Sequence, residues 1–309
     1  MSFERIRRIK NPLIRTSIAQ APSNFPELEK IPASNESPKI SVIIPYGGND
    51  SLRDRNLRHC LNSLAFQTYT DYEIILVEQS IDGNFYKKWV IDQGIRWIGI
   101  KDPSNRGFNL SWCRNVGARQ ARGEKIVLMD SDMCFESGYL QKVSESTQFF
   151  CGGAKIYHWI REEKVTRIFE SGRNFSEIYS YGTGNHRDPV FRFKPFVSGN
   201  GFGAVLVFNR NWFLNSFCGY PEDFFQYGWE DKAAVEIIKK LLEIHSNEDL
   251  PVIDYEIIHL SHGNKNFSNM KTNEHLYERI KNMSKQQWID RVSSIEFGSL
   301  ESPRILINL

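Results

Sequence analysis

The sequence predicts an α/β fold, with a mostly parallel central sheet flanked by helices. Three observations predict it. Short apolar runs alternate with stretches whose apolar residues recur at helical spacing, the pattern of strand–helix–strand units. Two of these runs stop at residues that suit a sheet edge, Pro45 and Asp130. The composition is that of an ordinary globular chain: of 309 residues, 40% are hydrophobic and 25% charged, which excludes a disordered tail, a collagen-like fibre and a low-complexity linker.

The elements follow in order. Residues 16–38 are rich in Pro, Ser, Asn and Ala and read as an irregular lead-in. Ser41–Pro45 is a buried strand ended by proline. Leu57, Cys60, Leu61 and Leu64 share one helical face. Tyr72–Val77 and Arg96–Ile100 are the second and third strands, Trp112–Ala121 is a helix, and Lys125–Met129 is the fourth strand. In such sheets ligands bind at the carboxyl ends of the strands. The second half is less regular. Ala204–Phe208 is a strand candidate, and Ala234, Ile237, Ile238, Leu241 and Leu242 define a strongly amphipathic helix. Val252–Leu260 is extended, and the last forty residues are helical and then irregular.

Charge and cysteine usage narrow the function classes. The chain carries 39 Lys and Arg against 37 Asp and Glu, a net charge of +2. That balance argues against a dedicated nucleic-acid binder. Five scattered cysteines without a CxxC pair form neither a disulfide framework nor a zinc ribbon and point to a reducing, cytoplasmic compartment. No window is long and apolar enough to span a bilayer. The N-terminal arm interleaves Arg5, Arg7, Arg8, Lys10 and Arg15 with Ile6, Ile9, Leu13 and Ile14. It suits either a solvated or docking segment or peripheral contact with an anionic membrane surface.

Three constellations carry chemistry. Asp130-Ser131-Asp132 follows a strand directly, so its two carboxylates hang over the sheet's carboxyl edge, where a cation offsets their repulsion. His259-Leu260-Ser261-His262 places two imidazoles on one metal if the chain turns there, and Gly263 permits a turn. Asp132 with both histidines makes an O/N₂ donor set suited to Mn²⁺ or a similar cation; paired surface histidines and a polar strand cap are the plainer alternatives. In the third, Tyr220, Phe224, Phe225, Tyr227 and Trp229 crowd around Glu222, Asp223, Glu230 and Asp231. Ring faces beside carboxylates are how proteins hold sugars, and a carboxylate desolvated by aromatics suits a general base. The plainer alternative is a helix start favoured by the dipole.

In this order the motifs resemble an A-type (GT-A) glycosyltransferase of the family 2 and family 7 kind. The C-terminal half is similar to the galactosyltransferase module of β1,4-galactosyltransferases and chondroitin-type polymerases. Phe108-Asn109, Asn115-Val116-Gly117 and the run from Gly219-Tyr220-Pro221 to Glu230-Asp231 carry the similarity, which covers roughly residues 40–265. The resemblance implies a Rossmann-like sheet in one catalytic domain, with a nucleotide-sugar half at 40–134 and an acceptor half at 135–265. Residues 1–39 would be an arm and 266–309 a helical tail.

It also implies roles. Pro45 and Tyr46 would cradle the uridine, and Glu78 and Gln79 would hold base or ribose. Asn109 and Asn115 fall on donor-side motifs. Asp130 would face the nucleotide and, with Asp132, His259 and His262, hold Mn²⁺ or Mg²⁺. Asp231 would be the catalytic base and Glu230 the acceptor-binding acid, with Tyr227 touching sugar. Leu110 stands where those enzymes have an arginine near the phosphates, leaving Arg106 or Arg114 to supply the charge. His259 stands where vertebrate enzymes carry a methionine. Trp229 replaces a glycine and would fill space near the sugar. Arg55, Arg58 and Lys101 read as solvated. The implied activity is inverting, metal-dependent transfer from a UDP-sugar donor to a carbohydrate acceptor in bacterial polysaccharide or glycoconjugate synthesis. A retaining transferase of the polypeptide N-acetylgalactosaminyltransferase type, a metal-dependent hydrolase and a non-catalytic sugar binder are the alternatives.

Overall fold

A computed structural model describes residues 37–48, 51–80, 87–160, 190–196, 203–262, 267–293 and 296–307. The basic arm, Gly263 and residues 161–189 lie outside that set. No helix among the described residues is long and apolar enough to cross a membrane.

The strands are β1 (Ile40–Tyr46), β2 (Tyr72–Gln79), β3 (Arg96–Ile100), β4 (Lys125–Met129), β5 (Met133–Cys134), β6 (Phe150–Gly152), β7 (Ile156–Ile160), β8 (Val190–Phe193), β9 (Val205–Asn209) and β10 (Glu256–Leu260). The helices are α1 (Ser51–Ala65), α2 (Lys87–Asp92), α3 (Leu110–Gln120), α4 (Tyr139–Glu145), α5 (Arg210–Trp212), α6 (Glu230–Leu242), α7 (Met270–Asn282) and α8 (Lys285–Val292).

Six strands form the main sheet in the order β3-β2-β1-β4-β9-β6. The first four run parallel, as the alternation of runs and helices implies. β9 and β6 close one edge antiparallel, so the sheet is mixed. Side chains of β1 and β2 alternate between two cores. Ile43, Ile75 and Val77 face one, with Trp112 and Val116 of α3 and Ile237 and Ile238 of α6. Val42, Ile44, Ile74 and Leu76 face the other, with Leu57, Cys60, Leu61 and Leu64 of α1. Burial on both faces explains why these strands read as continuous apolar runs. Gly117 fits this packing: a Cβ there would lie 2.3 Å from Ile43 Cγ2, so only glycine lets α3 approach β1 so closely.

A second sheet, β5-β10-β7-β8, stands beside the first. It positions the site. β10 pairs antiparallel with β5, with His259 opposite Met133, and Leu260 N–H donates to the Asp132 carbonyl at 2.8 Å. The Asp-x-Asp strand end and the His-x-x-His segment, far apart in sequence, thus become register neighbours.

Two boundaries differ from expectation. The amphipathic helix begins at Glu230 rather than Ala234, because the two acids occupy its first turn, where the dipole favours them. The extended 252–260 segment is ladder-paired only from Glu256, with Val252 in a lone bridge to Gly152. The residues expected to form a flanking tail instead complete the first core through Leu276, Ile280, Trp288, Phe297, Leu306 and Ile307.

Candidate active site

The carboxyl ends of β1 and β4 open into a cavity of about 410 Å³. Pro45 and Tyr46 line one wall, Asp130 and Asp132 the floor, and Tyr227, Glu230 and Asp231 the facing wall, with His259 and His262 beside the floor. Each arrives from an element end: β1, the β4–β5 turn, the start of α6, and β10 with the residues just beyond it.

Asp132, His259 and His262 converge so that one ligand atom from each lies within 4.8 Å of the others. His259 Nε2 is 3.4 Å from Asp132 Oδ1, and His262 Nε2 is 3.9 Å from Asp132 Oδ2. Burial opposes ionisation of Asp132, but the two histidines outweigh it and hold the carboxyl below the ordinary range. Asp132 Oδ1 and both ring nitrogens of His259 are buried without a hydrogen-bond partner among the described residues. Buried polar atoms are normally paired, and these three atoms beside the His262 imidazole form an O/N₂ donor set that fits a divalent cation.

Arg114 is the hub of the opposite half. Its side chain is 0% exposed. It donates to Asp130 Oδ1 at 2.8 Å and to the Gly203 carbonyl at 2.6 Å, and it pairs with Asp231. Asp231 lies hard against Gly203, where a Cβ would fall 1.9 Å from its Cγ. Burial pushes the Asp130 carboxyl up, with Arg114 opposing and Asp132 and Asp231 adding to the rise. Burial, helped by adjacent Asp231, pushes Glu230 up to about 8. Glu230 Oε2 is buried without a hydrogen-bond partner among the described residues.

Several expected site residues stand elsewhere. Glu78 accepts from Trp97 Nε1 at 2.8 Å, and Gln79 donates to the Gly107 carbonyl while accepting from Asn109 N–H. Asn109 caps α3 through Trp112 N–H, and Asn115 binds Tyr220 and Glu222. All four are buried and none lines the cavity. Their hydrogen bonds join β2, β3, α3 and the 219–226 loop around the cavity. Trp229 also lies outside the lining. It takes a left-handed φ of 74° where a glycine is easier, and its ring stacks on Tyr277 of α7 at 4.9 Å instead of entering the cavity. Arg106 pairs with Asp102 and covers Phe225, which leaves Arg114 as the cation of the pair that touches the site's carboxylates. Arg58 covers Trp89 rather than standing in solvent.

Arg53, Gly203 and Gln226 line the cavity without having been singled out from the sequence. Arg53 had a signal: it sits in the first turn of the helix that follows β1, the helix end nearest the carboxyl edge of a parallel sheet.

The cavity lies at the carboxyl edge of an α/β sheet, where such folds bind ligands, and comparison with known proteins gives the family. The family model for glycosyl transferase family 2 matches residues 41–196, half of the chain. The chain belongs to that family of transferases. Among curated relatives, an uncharacterized glycosyltransferase of Haemophilus influenzae is 28% identical over 132 residues, 42% of each chain. Glycosyltransferase GlyA of Streptococcus pneumoniae is 32% identical over 107 residues, 33% of this chain and 14% of its own. The chain thus spans less than half the length of these relatives. Among solved structures, S. aureus TarS in complex with UDP-GlcNAc aligns at 15% identity over 82% of this chain and 70% of its own, with a TM-score of 0.49.

Proposed function

We propose that the chain is a metal-dependent, inverting glycosyltransferase that moves a sugar from a UDP-sugar to a hydroxyl of a glycan acceptor in bacterial polysaccharide or glycoconjugate synthesis. One observation carries the reading: an O/N₂ donor set whose ligand atoms lie within 4.8 Å of one another and a carboxylate pair at a helix start line the same cavity. In this reading residues 40–134 form the nucleotide-sugar half and 135–265 the acceptor half.

Asp132, His259 and His262 hold Mn²⁺ or Mg²⁺; when bound, the cation supplies positive charge that stabilises the departing diphosphate. Pro45 and Tyr46 form the wall against which the nucleoside lies. Asp130 faces the donor and is restrained by Arg114. Arg114 also keeps Asp231 in place to accept the acceptor's hydroxyl proton as that oxygen attacks the anomeric carbon. The bond to the diphosphate breaks on the opposite side and its electron pair leaves with UDP, which inverts the anomer. Glu230, held protonated near neutral pH, donates to an acceptor oxygen, and Tyr227 offers a ring face to the sugar.

A thermal-shift screen of UDP-, GDP- and dTDP-sugars with and without Mn²⁺ tests the donor and metal assignments. UDP-sugars should stabilise the protein only when Mn²⁺ is present. A shift from another nucleotide alone, or one indifferent to Mn²⁺, overturns them. The product anomer, read by NMR, tests inversion.

A further inference from the structure

A histidine that binds a metal through one ring nitrogen ordinarily donates from the other to a carboxylate or carbonyl, which fixes its ring plane. His259 departs from that rule. Neither Nδ1 nor Nε2 has a hydrogen-bond partner among the described residues, so no such bond sets the plane of the imidazole. Left to itself, the outer torsion of a histidine is broad and roughly two-fold.

What meets the ring instead is Trp159. β7 and β10 run parallel with Trp159 and His259 as register partners, so the two side chains stand side by side on one face of the sheet. Indole and imidazole stack with 5.5 Å between centroids and 22° between planes. The same indole stacks on His262 at 6.5 Å and 25°. The imidazoles themselves are 5.6 Å apart and inclined at 44°. One flat ring therefore backs both candidate ligands, from a position outside the cavity lining. Trp159 Nε1 is buried without a hydrogen-bond partner among the described residues; buried indoles usually find one, so its stacking accounts for the placement.

We propose that Trp159 is a positioning residue for the metal site: its indole face takes the place of the missing hydrogen bond and holds both imidazoles in the orientation that binds a cation. The proposal rests on the metal reading above. A flat aromatic surface is what the role needs; an aliphatic residue of similar bulk fills the space without setting a ring plane.

The test uses the full chain and Mn²⁺ alone, without nucleotide. Binding is followed by calorimetry and by quenching of tryptophan fluorescence in the wild type, Trp159→Phe and Trp159→Leu. The Phe variant should bind Mn²⁺ within about threefold of the wild type, and the Leu variant about tenfold or more weaker, the usual loss when support behind a metal ligand is removed. Equal affinity of the Leu variant and the wild type overturns the proposal and leaves the metal site standing. A wild type that does not bind Mn²⁺ overturns both. Should Trp159→Leu fail to fold, the fluorescence still decides. Mn²⁺ quenches an indole beside it, so quenching should fall in Trp159→Phe, and quenching equal to the wild type places the indole away from the cation and sinks the idea.

Discussion

Two polar clusters, each built from distant parts of the chain, differ in what their atoms do. In the first, Asn109, Asn115 and Glu222 satisfy one another and the backbone. Glu222 accepts from Asn115, from Gly298 N–H at 2.7 Å and from Arg304 N–H, and Asn109 Nδ2 donates to the Glu222 carbonyl at 2.7 Å. This cluster ties α3, the 219–226 loop and the C-terminal segment together. In the second, Asp132, His259 and Glu230 are nearly as buried yet leave oxygens and nitrogens unpaired. A fully paired buried network fixes a fold; an unpaired one is a binding surface waiting for its partner.

The contrast can be broken experimentally. The largest effect belongs to Asp132→Ala, which should abolish Mn²⁺-dependent UDP binding by calorimetry while leaving the thermal denaturation of the metal-free protein nearly unchanged; a large loss of stability instead would move Asp132 into the scaffold. Asp231→Asn should keep UDP binding and lower transfer by about 10²–10⁴-fold, the usual worth of a general base. Transfer at the wild-type rate would remove Asp231 from that role.

Glu222→Ala should act the opposite way. It orphans three buried donors and should cost about 3 kcal/mol of stability, read by chemical denaturation, with unchanged UDP affinity in the folded fraction. A pH-dependent effect sharpens the boundary between the clusters. The Glu230 carboxyl is raised to about 8 from an ordinary 4.5, so the folded state holds that proton more tightly than the unfolded chain. Its stabilising effect is full below pH 4.5 and is lost as pH rises through 8. Glu230→Gln should therefore raise the melting temperature at pH 9 and change it little at pH 4.5. Equal shifts at both values would show that Glu230 does not titrate as placed.

The parallel half of the fold was legible in the sequence because both faces of β1, β2 and β4 are buried, which writes them as unbroken apolar runs. The edge strands β6 and β8 were not, since three- and four-residue strands carry too little pattern. Within the site, Asp130, Asp132, His259 and His262 were legible as motifs at strand ends. The hydrogen bonds of Gln79, Asn109 and Asn115 were not legible, because a polar residue in a donor-side motif looks the same whether it faces a ligand or caps a helix. Nor was the stacking of Trp229 on α7, because its left-handed backbone leaves no trace in residue order.

Periodicity and local chemistry alone determined the α/β class, the order of the first four strands and the residue types able to hold a cation, because these depend on neighbours within a few positions. The tertiary structure alone decided that β10 lies between β5 and β7, that Arg114 joins Asp130 to Asp231, and that Trp159 backs both imidazoles. Those contacts join residues from distant parts of the chain. They exist only once strand register and helix packing are set, and no local pattern encodes which distant partners they bring together.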